Sequence, residues 1–159
     1  MIIEIYFILY ILTMFQHYLT AGKHMICDLK NIQNKELLND ADKLNEMLGL
    51  ICRDYQFQVV EKIHKVFHPE GCTILYLLSE SHLSIHSFPE KNFLSFDIYT
   101  CREYKDNTEY LEIFDGLLDS LKADKSSSTY QIIDRYFRTR LLAISVNYLF
   151  YFRYNIKNV

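Results

Sequence analysis

Four strand-like segments follow one another between residues 57 and 99 with only short turns between them, and no other feature constrains the fold as strongly. The segments are FQVVEKIHKVF at 57–67, CTILYLL at 72–78, LSIHSF at 83–88 and FLSFDIY at 93–99. Turn-forming residues lie between them, including PEG at 69–71 and PEKN at 89–92. Parallel strands need crossovers of about a dozen residues or more, so these short connections predict antiparallel pairing.

Two segments with helical periodicity flank this run. Residues 31–54 carry apolar side chains at positions 37, 38, 41, 44, 47, 48 and 51, and residues 108–122 carry them at 111, 114, 117, 118 and 121. Further strands are predicted at 24–30 and 129–136. The order β-α-β-β-β-β-α-β predicts an α/β (α+β) fold, a two-layer sandwich in which two helices cover one face of an antiparallel sheet.

The two ends of the chain lie outside this pattern. Apolar runs occupy 5–15 and 141–152, and both are shorter than the roughly 20 residues that cross a bilayer. No Lys or Arg precedes Lys23, whereas a secretory signal needs a positive start. We interpret residues 1–21 as an N-terminal apolar extension, 22–137 as the domain and 138–159 as a C-terminal extension. Contact with a membrane or a partner chain is the less favoured alternative.

The net charge and the positions of the cysteines limit which partners, metal sites and cellular location are expected. The net charge is −3 and no basic block stands out, so nucleic acid is not expected as the main partner. The four cysteines lack any CxxC pair, which predicts neither a disulfide framework nor a metal site. We interpret Cys27, Cys52 and Cys72 as small core residues. A reducing, cytoplasmic location is the default expectation.

Potentially reactive side chains are densest at residues 79–90, SESHLSIHSFPE. This segment holds four serines, two histidines and two glutamates between apolar strands, and alternate residues of a strand share one face. Acid–base or nucleophilic chemistry is one interpretation. From the residues alone, a hydrogen-bonded strand edge is the favoured alternative.

Residues 78–101, LSESHLSIHSFPEKNFLSFDIYTC, resemble the small bacterial and archaeal form of the pyruvoyl-dependent S-adenosylmethionine decarboxylases. That family carries an E-S-H-[IL]-[ST]-I-H-[TS]-[WF]-P-E block and a following strand that ends in F-T-C, where this chain has Tyr99 for Phe. GKH at 22–24 resembles the family's opening G-[RK]-H, and residues 67–73 resemble its F-x-P-x-G-x-S segment with Thr73 in place of Ser. The resemblance covers 22–136. The chain departs from the family at KNF in 91–93 and at GCTI in 71–74.

The resemblance implies that the chain is an inactive proenzyme that cleaves itself between Glu80 and Ser81. The Ser81 hydroxyl would attack the carbonyl carbon of Glu80 and convert the amide into an ester. His86 would then accept the Ser81 Cα proton, and β-elimination would break the ester. Glu80 would become a new C-terminus, and Ser81 would be converted into a pyruvoyl group. Thr73 would assist by a hydrogen bond to the rearranging carbonyl.

The same resemblance implies the catalytic cycle. The pyruvoyl group would form a Schiff base with S-adenosylmethionine, and Cys101 would protonate the substrate Cα after carbon dioxide leaves. Glu90 would accept hydrogen bonds from the ribose hydroxyls, and Phe67 would stack on the adenine. The product would serve spermidine synthesis. The expected assembly is a homodimer of cleaved αβ protomers with active sites at or near the subunit interface, and no metal is expected.

Other functions stay open. Pyruvoyl-dependent arginine or ornithine decarboxylases use the same self-processing residues with a different pocket. A non-catalytic regulatory paralogue is another alternative, although intact Ser81, His86 and Cys101 argue against it. A membrane-attached module depends only on the two apolar runs.

Overall fold

An antiparallel sheet organises the structure, a computed structural model in which residues 18–138 are described. Within that range the sheet has six strands: β1 (Tyr18–Leu29), β2 (Val59–Val66), β3 (Cys72–Leu78), β4 (Ser81–Phe88), β5 (Phe93–Thr100) and β6 (Thr129–Arg138). The helices of the same range are α1 (Lys35–Leu38), α2 (Ala41–Asp54) and α3 (Thr108–Leu121), and a 3-10 turn spans Pro89–Lys91. The predicted two-layer antiparallel fold is confirmed.

The strand order is β2-β3-β4-β5-β1-β6, so β4 and β5 lie at the centre. The consecutive strands β2 to β5 pair antiparallel, as their short turns predict. β1 pairs with β5, which brings the start of the domain beside the segment that ends at Thr100. In these registers both His24 and His82 lie opposite Tyr99, on either side of it.

One face of the sheet packs against the helices. Alternate residues of β3, β4 and β5 are buried there, and they form one core with the apolar faces of α2 and α3. The Tyr76 hydroxyl of β3 donates to the Asn45 carbonyl oxygen of α2 at 2.8 Å, and the Tyr110 hydroxyl of α3 donates to the Lys23 carbonyl oxygen at 2.9 Å. Polar tips of core aromatic residues thus tie both helices to the sheet.

The alternate residues point to the other side, which we call the open face. Its members on the four strands from β3 to β1 are Thr73, Leu75, Leu77, His82, Ser84, His86, Ser95, Asp97, Tyr99, His24, Ile26 and Asp28. All of them are half-buried or exposed, and the helices of residues 18–138 pack on the opposite side. Two of the predicted site residues, Thr73 and His86, therefore lie on a face that the helices of residues 18–138 do not cover.

The prediction of one helix over residues 31–54 is wrong. The segment forms α1 and α2 with a break at residues 39–40. Asp40 is the N-cap of α2, and its carboxylate accepts hydrogen bonds from the backbone N–H groups of Asp42 at 3.1 Å and Lys43 at 3.0 Å. Capping by an Asp side chain starts a new helix inside an uninterrupted apolar periodicity.

A glycine permits the close approach of β1 to β5. Gly22 has φ of +108°, and a Cβ at this position would lie 1.9 Å from the Thr100 carbonyl oxygen and 2.7 Å from the Cys101 Cα. Only a residue without a side chain fits there. The glycine of the GKH sequence at 22–24 therefore has a steric reason in the strand pairing that leads to Cys101.

Residues 21–135 form a compact unit, and the described residues beyond it, 18–20 and 136–138, group with the chain ends. The apolar runs predicted at 5–15 and 141–152 lie outside the described residues. Across 18–138, the helices are all too short or too polar to span a bilayer.

Candidate active site

The turn between β3 and β4 holds Glu80 and leads into Ser81, the first residue of β4. Ser81 has φ of 154°, which L-residues rarely adopt. Backbone strain of this kind costs about 1–3 kcal/mol and is concentrated at functional sites in proteins. Here it falls on the residue whose backbone the self-cleavage reaction would rearrange.

Glu80 is held at both its backbone and its side chain. Its carbonyl oxygen accepts a 2.9 Å hydrogen bond from the backbone N–H of Cys101. Its carboxylate pairs with the Arg102 guanidinium and accepts a 2.8 Å hydrogen bond from the Ser79 hydroxyl. Partial burial acts to raise the Glu80 pKa, but the hydrogen bonds from Arg102 and Ser79 outweigh it and leave the pKa below its usual value.

The Cys101 thiol is exposed beside this turn. It donates to the Tyr99 hydroxyl at 3.4 Å, and that hydroxyl donates to the Ala21 carbonyl oxygen at 2.8 Å. The contact with Cys101 raises the Tyr99 pKa, so the phenol stays protonated and can donate. The cluster of Glu80, Ser81 and Cys101 is called the cleavage cluster below.

The other cysteines behave differently, as predicted. Cys27, Cys52 and Cys72 are buried in the core. Burial raises the pKa of the Cys52 thiol to about 11, so it stays protonated and unreactive near neutral pH. Their assignment as small core residues is confirmed.

The remaining four predicted site residues lie together in a cavity away from the cleavage cluster. His86 Nδ1 lies 2.8 Å from the Thr73 hydroxyl, its partner across β3 and β4. Phe67 and Glu90 line a cavity of about 420 Å³ together with these two side chains. Thr73, His86, Phe67 and Glu90 are called the pocket cluster below. The predicted processing base and both predicted substrate-binding residues therefore share one cavity.

The cleavage and pocket clusters lie at opposite ends of β4. Ser81 and His86 are five residues apart on this strand, which corresponds to about 16 Å at 3.3 Å per residue. Thr73 is equally remote from the Glu80 carbonyl, which accepts its hydrogen bond from Cys101 instead. A single chain does not bring its own His86 or Thr73 to its own Glu80–Ser81 bond.

Sequence reasoning assigned no role to four side chains next to the cleavage cluster: Arg102, His82, Asp97 and His24. The Ser81 hydroxyl lies 3.2 Å from His82 Nδ1. The Asp97 carboxylate lies 4.0 Å from His82 Nε2 and 2.5 Å from His24 Nε2. Both histidines stand inside the matching motifs, which was a usable signal, whereas nothing in the sequence marked Arg102 as the partner of Glu80.

Comparison with known proteins identifies a family over nearly the same residues as the compact unit. A family model described as S-adenosylmethionine decarboxylase matches residues 23–135, nearly the whole compact unit. A relative named S-adenosylmethionine decarboxylase proenzyme from Brevibacillus brevis is 39% identical over 109 residues, which cover 69% of this chain and 79% of the relative. S-adenosylmethionine decarboxylase proenzyme 2 from Bacillus cereus is 46% identical over 84 residues, 53% of this chain and 68% of that protein.

A solved structure supports the same architecture. The crystal structure of the adenosylmethionine decarboxylase from Aquifex aeolicus VF5 superposes with a TM-score of 0.65. The match covers 76% of this chain and 95% of that chain at 24% sequence identity. At this identity the likeness concerns the fold.

Proposed function

Because this chain belongs to the S-adenosylmethionine decarboxylase family, we propose that it decarboxylates S-adenosylmethionine with a pyruvoyl group made from its own Ser81. The observation that carries this proposal is the geometry of the Glu80–Ser81 junction. A strained serine follows a carbonyl that already accepts a hydrogen bond from Cys101. The product would be the aminopropyl donor for spermidine synthesis.

Self-processing would begin at this junction. The Ser81 Oγ bonds to the Glu80 carbonyl carbon, and negative charge develops on the oxygen that faces the Cys101 N–H. A hydrogen-bond donor aimed at developing charge lowers the barrier to acyl transfer. The carbon–nitrogen bond then breaks and leaves an ester. Removal of the Ser81 Cα proton by a His86 base expels Glu80 as a new carboxylate terminus and leaves dehydroalanine at position 81. Dehydroalanine tautomerises to an imine, and water then hydrolyses the imine to the pyruvoyl group and releases ammonia.

The residues around the junction fit a pyruvoyl group at position 81. Such a group would supply the electron sink that takes up the electron pair when carbon dioxide leaves. The Cys101 thiol lies next to this position and would return a proton to the substrate Cα. Phe67 offers an aromatic face and Glu90 a carboxylate to a cationic nucleoside.

A homodimer would complete the site. Ser81 and His86 are about 16 Å apart on one chain, so the pocket cluster that serves one Ser81 must come from a second copy. The open face and the neighbouring strand β2 expose Ile63, Leu75 and Leu77 at 64%, 44% and 53%. Exposed apolar side chains on a sheet face that the helices of residues 18–138 do not cover favour burial against another molecule.

Intact mass spectrometry of the purified protein tests the proposal, with Ser81→Ala as the control. We expect two chains split after Glu80, with pyruvoyl at the start of the second, and a single chain for the variant. Turnover of S-adenosylmethionine, arginine and ornithine by the cleaved protein then identifies the substrate. Turnover of only an amino acid would overturn the substrate assignment, and an uncut wild type would favour the non-catalytic paralogue.

A further inference from the structure

Three titratable side chains of the open face converge beside Ser81, and the function proposed above gives none of them a role. His24, His82 and Asp97 come from β1, β4 and β5, and their nearest ring nitrogens and carboxylate oxygen all lie within 4.8 Å of one another. Two imidazoles and a carboxylate also make a plausible metal-ligand set. The surrounding hydrogen bonds indicate which tautomer each imidazole adopts, and the tautomers distinguish a metal site from a proton-transfer network.

Arg135 sets the tautomer of His24. Its Nη1 lies 3.4 Å from His24 Nδ1, and because arginine only donates, this nitrogen acts as an acceptor. The proton of neutral His24 is then on Nε2, which lies 2.5 Å from Asp97 and donates to it. A metal bound at Nε2 would move this proton to Nδ1 and turn it toward the guanidinium. Arg135 therefore favours the hydrogen-bonded network.

Asp97 accepts from His24 and lies close enough to His82 to act on it through its charge. The His82 Nε2 lies 4.0 Å from the Asp97 carboxylate, beyond hydrogen-bond distance, and the negative charge favours the tautomer that carries its proton on Nε2. The other nitrogen, Nδ1, then keeps its lone pair and lies 3.2 Å from the Ser81 hydroxyl. The Tyr99 ring packs against both imidazoles, at centroid distances of 6.0 Å from His82 and 5.7 Å from His24.

We infer that His82 is a catalytic residue of self-processing, the general base that activates Ser81, and that Asp97 and His24 are positioning residues. The inference rests on the proposed function. As the Ser81 Oγ bonds to the Glu80 carbonyl carbon, its proton passes to His82 Nδ1. When the carbon–nitrogen bond breaks, the same proton passes to the leaving amine of Ser81. The step consumes no net proton and needs no co-reactant.

This role differs from that proposed for His86. His82 handles the hydroxyl proton of the residue beside it on the same chain, whereas His86 lies about 16 Å away and would remove the Cα proton later, from a second copy. Loss of His82 should therefore block ester formation. Loss of His86 should block only the breakdown of the ester.

Hydroxylamine separates the two steps, because it cleaves an ester and leaves the amide intact. We expect hydroxylamine to cut a His86→Ala chain after Glu80 and leave serine at position 81. In the His82→Ala/His86→Ala chain the rate of this cut should fall by about 100-fold or more, the usual contribution of a general base. The control is His64→Ala/His86→Ala, since His64 is an exposed histidine of β2 outside both clusters.

Two further measurements distinguish loss of a catalytic base from misfolding of the His82→Ala chain. Added imidazole should restore part of the ester formation in the His82→Ala chain, which a merely structural role would not allow. Asp97→Asn should slow ester formation and change its pH profile. If the His82→Ala/His86→Ala chain reacts as fast as its control while wild type processes normally, the inference is overturned and the proposed function survives. An uncut wild type overturns both.

Discussion

The backbone N–H of Cys101 donates a 2.9 Å hydrogen bond to the carbonyl oxygen of Glu80. The residue proposed to protonate the substrate is thus tied through its own backbone to the bond proposed to break. Pairing of β4 with β5 enforces this contact, because Ser81 lies opposite Thr100. One structural element can therefore serve both reactions, first by polarising the carbonyl and later by presenting the thiol.

The separation of Ser81 from His86 predicts complementation between two inactive chains. Under the proposed function, Ser81→Ala cannot be cleaved and His86→Ala lacks its base. In a mixed dimer, however, the His86 of the first chain can serve the Ser81 of the second. On co-expression we expect cleavage of about half of the His86→Ala chains, as random pairing into two-fold dimers dictates.

Intact mass spectrometry of the co-expressed chains, distinguished by a tag, makes this measurement. His86→Ala expressed alone is the control and should stay uncut. If the mixture also stays uncut while wild type is processed, the two-chain site is wrong.

The Arg102 pair with Glu80 predicts a pH-dependent loss of stability in Arg102→Gln. The Glu80 pKa is lowered from 4.5 in the folded state, so the pair stabilises the fold above that pH and is lost as the pH falls through the lowered value. We expect Arg102→Gln to reduce the free energy of unfolding by about 2 kcal/mol at pH 7. The difference from the parent chain should shrink below pH 4.5.

Urea unfolding of uncleavable Ser81→Ala chains at several pH values measures this effect. Arg53→Gln is the matched control, because Arg53 pairs with Asp54 at 2.9 Å on an exposed surface and should contribute less than about 1 kcal/mol. Equal losses for the two variants, or a difference independent of pH, would contradict the prediction. Arg102 also donates to the Tyr55 carbonyl oxygen at 2.9 Å, and this bond does not depend on the charge of Glu80. Part of the reduction in the free energy of unfolding of Arg102→Gln should therefore persist at low pH.

Tyr99→Phe should separate turnover from processing. The substitution keeps the ring against His82 but removes the hydroxyl that accepts from Cys101 and donates to Ala21. We expect self-cleavage at the wild-type rate and a two- to tenfold fall in turnover, which corresponds to about 0.5–1.5 kcal/mol for one hydrogen bond. Tyr130→Phe is the control, since the Tyr130 ring packs on Phe114 of the helical layer.

Time courses of cleavage and of carbon dioxide release give both quantities. Slower cleavage with normal turnover would be the reverse of the expected pattern. It would assign the Tyr99 hydroxyl to the processing step.

Two glycines should respond oppositely to alanine. Gly22→Ala introduces a Cβ 1.9 Å from the Thr100 carbonyl oxygen at φ of +108°, so we expect a loss of about 3 kcal/mol or more. Gly49→Ala in α2 meets no atom within 4 Å and should stabilise the protein by about 0.5–1 kcal/mol. Thermal unfolding of both variants in the Ser81→Ala chain checks the signs. A neutral Gly22→Ala would show that β1 can move away from Cys101 at little cost.

The sequence by itself determined the elements and their layer. Alternation and short turns identified the antiparallel strands from 57 to 99, and three-and-four periodicity identified the helical faces, because both patterns depend on neighbouring residues. The break at Asp40 was missed since apolar spacing continues through it, although the capping side chain was a local signal. The motif from Leu78 to Cys101 predicted the cleavage site without any three-dimensional information.

Only the tertiary structure decided which reactive groups meet. His24 reaches Asp97 because β1 pairs with β5, and these residues are 73 positions apart in the chain. His86 and Ser81, five positions apart, lie at opposite ends of one strand. Strand registers are set by burial of the whole core and not by local preference. Proximity along the sequence therefore suggested one site. In the structure, the extended backbone of β4 separates the cleavage cluster from the pocket cluster.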